Sequence, residues 1–192
     1  MDDTAKAVLA FWFGAPGSPA RGKARTEWFR KDPAFDDDIR RRFGDAVAIA
    51  LAGGYGEWCA SAEGALARIL LLDQFTRNIF RGTPRAFAGD ARALATAEDA
   101  VGRGFDRELS TLERWFVYLP FEHAESVEVQ HRSLELFGAL AKASGDDDPL
   151  VWARKHAEVI FRFGRYPHRN AILGRASTPE EEAFLREPGS SF

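Results

Sequence analysis

At 192 residues, with 45% hydrophobic and 29% charged side chains, the chain suits one soluble globular domain, 1–192, long enough to bury a substantial core. A formal net charge of −3 argues against bulk attraction to nucleic acid or to an anionic membrane. The single cysteine, Cys59, excludes an internal disulfide and a thiol-rich metal site, and fits a reducing compartment.

In chain order, the N-terminal MDDTAKAVLAFWFG puts acidic residues before a short apolar run, without the basic segment of a signal peptide. No stretch reaches the ~20 apolar residues of a membrane helix, so a cytoplasmic protein is expected. Asp3 or Thr4 caps a first helix carrying Val8, Leu9, Phe11, Trp12 and Phe13, which stops at Gly14. APGSPARGK follows as a loop, and Asp32-Pro33 opens a helix with Phe35, Ile39, Phe43 and Val47 on one side. Ser61 opens a central helix that ends near Gly82, and Thr83-Pro84 repeats the cap-plus-proline signal before an alanine-rich helix from Asp90 to Val101. Ser110-x-x-Glu113 has capping-box spacing, and Pro120 should kink or end the helix it starts. Ser126 restarts a helix, Asp148-Pro149 opens the next, which stops at Gly164, and Thr178-x-x-Glu181 opens a short last one. Period-2 strands are absent, so the fold is all-α: seven or eight helices in antiparallel pairs.

The central stretch ILLLDQFTRNIFR, residues 69–81, is apolar almost all round, which predicts burial. Yet Asp73, Arg77 and Arg81 recur at i, i+4 and i+8 with Gln74 and Asn78 beside them, a polar arc of roughly 140°. Buried charges need partners, so the arc pairs internally, faces another polar segment, or lines a pocket. Such a segment is RFGRYPHRN, residues 162–170, basic and bearing His168; its Arg165 and Arg169 either complement a helix C-terminus or fork onto an anion. In PFEHAES, Glu122 and Glu125 can share a helix face beside His123, the minimum for acid–base chemistry, or Glu125 can simply bind Arg77 or Arg165. Glu128-x-x-His131 is one half of a di-metal motif whose second half is missing, so neither a metal nor another cofactor is expected. Nucleotide-binding and serine-hydrolase motifs are absent too.

LLLDQFTRNIFRGT, AFAGD, PFEHAE and FGRYPHRNAILGRASTPEE together resemble a mainly bacterial family catalogued as domain of unknown function 924. The resemblance runs from FWFG to the final helix. It implies a tetratricopeptide-repeat-like array of antiparallel helix pairs. It places the family's patterns on Asp73, Gln74, Arg77, Asn78 and Arg81, on Pro120, Phe121, His123 and Glu125, and on Gly164, Arg165, Pro167, His168, Arg169 and Asn170. Ala124, Thr76 and Tyr166 depart from it, standing where serine, serine and phenylalanine are usual.

Two functions follow. The first is a binding module whose Asp73, Gln74, Arg77, Asn78, Arg81, Arg165, Arg169 and Asn170 hold a small anionic ligand or a peptide carboxylate. The second is a cofactor-independent enzyme on a small anionic substrate, with His123 or His168 moving a proton and Glu125 or Asp73 orienting it. A third reading makes the polar cluster an internal network that fixes helix packing. A homodimer is expected only if some of the many aromatic side chains are exposed.

Overall fold

The computed structural model describes residues 2–191, and among them the chain is helical with no strand. The helices are α1 (Asp3–Phe13), α2 (Pro33–Leu51), α3 (Ala62–Ile69), α4 (Thr76–Ile79), α5 (Asp90–Gly102), α6 (Thr111–Glu122), α7 (Val127–Ser144), α8 (Asp148–Phe163) and α9 (Pro179–Leu185). A π-helical segment, Leu70–Phe75, joins α3 to α4 into one continuous rod, which makes eight helices among the described residues.

Local chemistry accounts for most boundaries. Ser110 and Glu113 form the reciprocal capping box of α6, and Thr178 and Glu181 that of α9. Asp32, Ser61 and Ser126 cap α2, α3 and α7 as their spacing predicts. Gly164 closes α8 in the left-handed conformation (φ 69°), which glycine adopts without strain. Other expectations shift. Asp2, not Asp3 or Thr4, caps α1, because its carboxylate reaches the amides of Thr4 and Ala5. Thr83-Pro84 opens only a 3₁₀ turn, Pro84–Phe87, with no side-chain cap, and the capping position of α8 falls on Asp147. Pro120 does not stop α6 at once; the helix takes in Phe121 and Glu122 before ending at His123.

The rod sits in the middle of the fold, against α1, α2, α5 and α6. Ile69, Leu70, Leu71, Leu72 and Phe75 are fully buried. An aromatic core surrounds it: Trp12 stacks on Trp28 at 5.7 Å, and Trp28 meets Phe116 edge-on at 4.8 Å. Sequential pairs complete the body, α6 on α7 and α7 on α8. The rod is also pinned by Gly89. A Cβ there would lie 2.0 Å from the Leu72 carbonyl oxygen, so the start of α5 touches the π segment as only glycine allows. This contact brings Asp90 to Arg77. No helix among the described residues is long and apolar enough to cross a membrane.

Candidate functional site

The π segment widens the rod where Asp73 and Gln74 leave it. The Thr76 hydroxyl donates to the carbonyls of Leu72 (2.8 Å) and Asp73 (3.2 Å), satisfying backbone acceptors that the regular α ladder would otherwise pair. Asp73 is fully buried. Its Oδ2 accepts from Gln74 at 2.7 Å, and its Oδ1 lies 2.7 Å from Nδ1 of His123 and 3.1 Å from Nη1 of Arg77. Burial by itself would raise the Asp73 pKa, but Arg77, His123 and Gln74 outweigh it and hold the carboxyl well below the usual range. An ionised carboxylate only accepts, so Nδ1 of His123 carries the proton and Nε2 carries the lone pair.

Arg77 is saturated. Beyond Asp73 it grips Asp90 with both ends of its fork, Nη1 to Oδ1 at 2.9 Å and Nη2 to Oδ2 at 3.1 Å. Arg169 reaches the same Asp90 Oδ2 with Nη1 alone, at 3.3 Å. Its guanidinium lies between the Phe87 and Tyr166 rings, 4.7 and 4.5 Å from their centroids. The residue is 6% exposed, and its buried Nε has no acceptor.

Glu122, at the end of α6, lies beside this group. Its Oε1 is 3.1 Å from Nδ1 of His156, which also faces the Trp152 carbonyl at 2.9 Å, and its buried Oε2 has no partner. Burial, with Asp73 nearby, pushes the Glu122 pKa up to about 8. Burial pushes the imidazoles down: His156 to about 3, His168 to about 4, and His123 below its ordinary value with Arg77 adding to the effect. At neutral pH the group therefore holds ionised Asp73, charged Arg77 and Arg169, a protonated Glu122 and neutral imidazoles.

Gln74, Arg77, Glu122, His123, His156, His168 and Arg169 line a cavity of about 600 Å³, whose wall does not include Asp73 or Asp90. Glu122, His156, Arg169, Gln74 and Asn78 lie deep, with His123, His168 and Arg77 partly open to the space. Trp28, Trp115, Leu119 and Phe87 make apolar walls, while Phe29 and Trp152 stand exposed at the mouth. A polar inner end under an aromatic entrance suits an amphiphilic small molecule.

The sequence-predicted residues divide into three groups. Gln74, Arg77, His123, His168 and Arg169 come together at the cavity, and Asp73 is buried against Gln74, Arg77 and His123. Asn78 and Arg81 also border it, but both are spent on Asp36 of α2: Asn78 Nδ2 donates at 2.7 Å, and Arg81 Nε and Nη2 both donate at 2.9 Å. Glu125, Arg165 and Asn170 lie apart from it. α6 has ended before Glu125, so Glu122 and Glu125 do not share a helix face. Glu125 accepts from the Tyr166 amide at 2.8 Å and from the fork of Arg175 at 2.6 and 2.9 Å, not from Arg77 or Arg165. Arg165 grips Glu181 at 2.6 and 2.8 Å, and Asn170 bonds Ser177, Glu181 and Arg175. This second network fastens the C-terminal segment. Sequence reasoning missed Asp90, Phe87 and the aromatic entrance; the AFAGD segment held the signal for the first two.

A solved structure of a protein of unknown function from Agrobacterium tumefaciens is similar to this one. It is 40% identical, superposes with a TM-score of 0.85, and the match covers 96% of this chain and 97% of that one. No curated protein matches the chain. The model of one family matches residues 8–189, and the chain belongs to that family, the bacterial proteins of unknown function designated DUF924.

Proposed function

We propose that the cavity binds a small molecule with a carboxylate or similar anionic group on an apolar or aromatic body. The observation that carries this reading is Arg169, a buried guanidinium with one long bond to Asp90 and an Nε with no acceptor. A buried donor without a partner is costly, and a ligand carboxylate entering from the cavity, with a small turn of the guanidinium, gives the fork acceptors. Phe87 and Tyr166 hold its plane, and Trp28, Trp115 and Trp152 offer surface to an apolar body.

The binding role is read within a tetratricopeptide-repeat-like stack, supported by the packing of α6 on α7 and α7 on α8, and within a cytoplasmic setting, supported by the lone Cys59. Because the polar residues lie deep, a small ligand or the terminal carboxylate of a peptide fits better than a long acidic segment.

Thermal unfolding with a panel of carboxylates, phosphates and aromatic acids tests the proposal. Wild type should gain stability with aromatic or branched carboxylates, and Arg169→Gln should lose that gain while remaining folded. If no anion shifts wild type, the cluster is a packing network and the proposal fails.

A second reading, an enzyme acting on the same ligand, is favoured by the Asp73–His123 pair, which leaves a neutral imidazole with its lone pair on Nε2.

A further inference from the structure

We infer that this cavity transfers a proton at the carbon next to a ligand carbonyl, and that its substrates are 2-oxo carboxylates with an apolar or aromatic side chain. The inference rests on the carboxylate reading above and deepens it.

Three placements carry it. Nδ1 of His123 is committed to Asp73 at 2.7 Å, and the ring borders the cavity with its side chain partly exposed, so Nε2 is the nitrogen left to a ligand. Glu122 borders the same space; its buried Oε2 has no partner, burial keeps the carboxyl neutral, and a turn of the side chain presents its proton to a ligand oxygen. Arg169 lines the same space as the group for a carboxylate. A base, a protonated acid and an anion clamp around one space match a molecule with an acidic C–H, a carbonyl oxygen and a carboxylate side by side. The aromatic walls select the remainder of the molecule. Among the described residues that line the cavity there is neither cysteine nor lysine, and the serine, Ser191, is exposed. The lining thus offers proton transfer more readily than attack by a side-chain nucleophile.

The step balances without a further reactant. Nε2 of His123 takes a proton from the carbon beside the carbonyl, and the C–H electron pair becomes the C=C bond. The carbonyl π pair moves to oxygen, which takes the proton of Glu122. The product is the enol, with His123 protonated against Asp73 and Glu122 ionised. The imidazolium and the carboxylate then return to their resting forms by proton exchange through solvent, and the reverse sequence regenerates the keto acid. Asp73 is a positioning residue: it sets the tautomer of His123 and stabilises the imidazolium. Among the described residues, the charged and titratable groups around the pair are Asp73, Arg77, His156, Tyr166, Arg169, His168 and Asp90.

The test uses the full chain and phenylpyruvate in D₂O, with loss of the methylene proton signal followed by NMR. Wild type should exchange on the order of 10²–10⁴-fold faster than His123→Gln, the usual range for a positioned general base. Its rate should rise through a pKa below the ordinary histidine value and fall above about 8. Glu122→Gln should remove the alkaline limb. Exchange no faster than buffer overturns the inference. If phenylpyruvate still raises the unfolding temperature in an Arg169-dependent way, the carboxylate pocket stands and only the proton transfer is lost. If it neither exchanges nor stabilises, both readings fail for aromatic 2-oxo acids. Should His123→Gln not fold, the wild-type pH profile decides, since a profile without the two limbs contradicts the assignment.

Discussion

His123 and Asp73, fifty positions apart, meet at 2.7 Å between Nδ1 and Oδ1, the carboxylate fully buried and the imidazole at the cavity wall. The contact joins the π segment of the central rod to the end of α6. It fixes which imidazole nitrogen faces the cavity.

Asp73→Asn removes the charge that Arg77 and His123 share. Arg77 keeps its fork on Asp90, so the loss is that of charge-assisted hydrogen bonds rather than of an orphaned charge, about 1.5–3 kcal/mol each. Urea denaturation should show a loss of that order. Arg81→Ala removes two bonds from the buried Asp36 carboxylate, which keeps only Asn78, and should cost about 1–3 kcal/mol.

Glu122 gives the stability a pH signature. Its folded pKa, about 8, lies above that of an unfolded glutamate, so the folded state holds more protons between those values. Its contribution is fully present below the unfolded pKa and is lost as pH rises towards and through about 8. Glu122→Gln stays neutral and lacks this loss. The unfolding temperature of the variant, measured relative to wild type, should therefore climb from pH 5 to pH 9; a constant difference would show that Glu122 is not held protonated.

Gly89→Ala places a methyl group 2.0 Å from the Leu72 carbonyl oxygen, against backbone that cannot rotate away. Overpacking of this kind costs about 1–3 kcal/mol. The variant should unfold at lower denaturant, and by displacing Asp90 it should also weaken anion binding at Arg169.

The boundaries of the fold were legible because its caps are local chemistry: Ser110 with Glu113, Thr178 with Glu181 and Gly164 each declare themselves within a few residues. Thr83 and Asp147 make no side-chain capping bond, so the letters around them leave those boundaries less defined. The buried polar arc was also visible, since Asp73 and Arg77 stand out in an apolar run. Its division was not. The rod ends at Ile79, so Arg81 lies past the helix on which it would line up with Asp73 and Arg77, and it turns to Asp36 of α2. Nor could spacing show that α6 ends before Glu125, which separates Glu125 from His123. Asp90 and Phe87 enter the site only because Gly89 lets α5 touch the rod, a contact between segments distant in sequence.

The most direct measurement is a calorimetric titration of 3-phenylpropionate, a carboxylate with an aromatic body and no carbonyl to enolise. It would compare wild type, Arg169→Gln and Arg165→Gln, the last a control in the network outside the cavity. The account predicts that wild type and Arg165→Gln bind alike, and that Arg169→Gln binds at least about tenfold more weakly, a loss of about 1.4 kcal/mol. Equal binding by all three, or none by wild type, would contradict it.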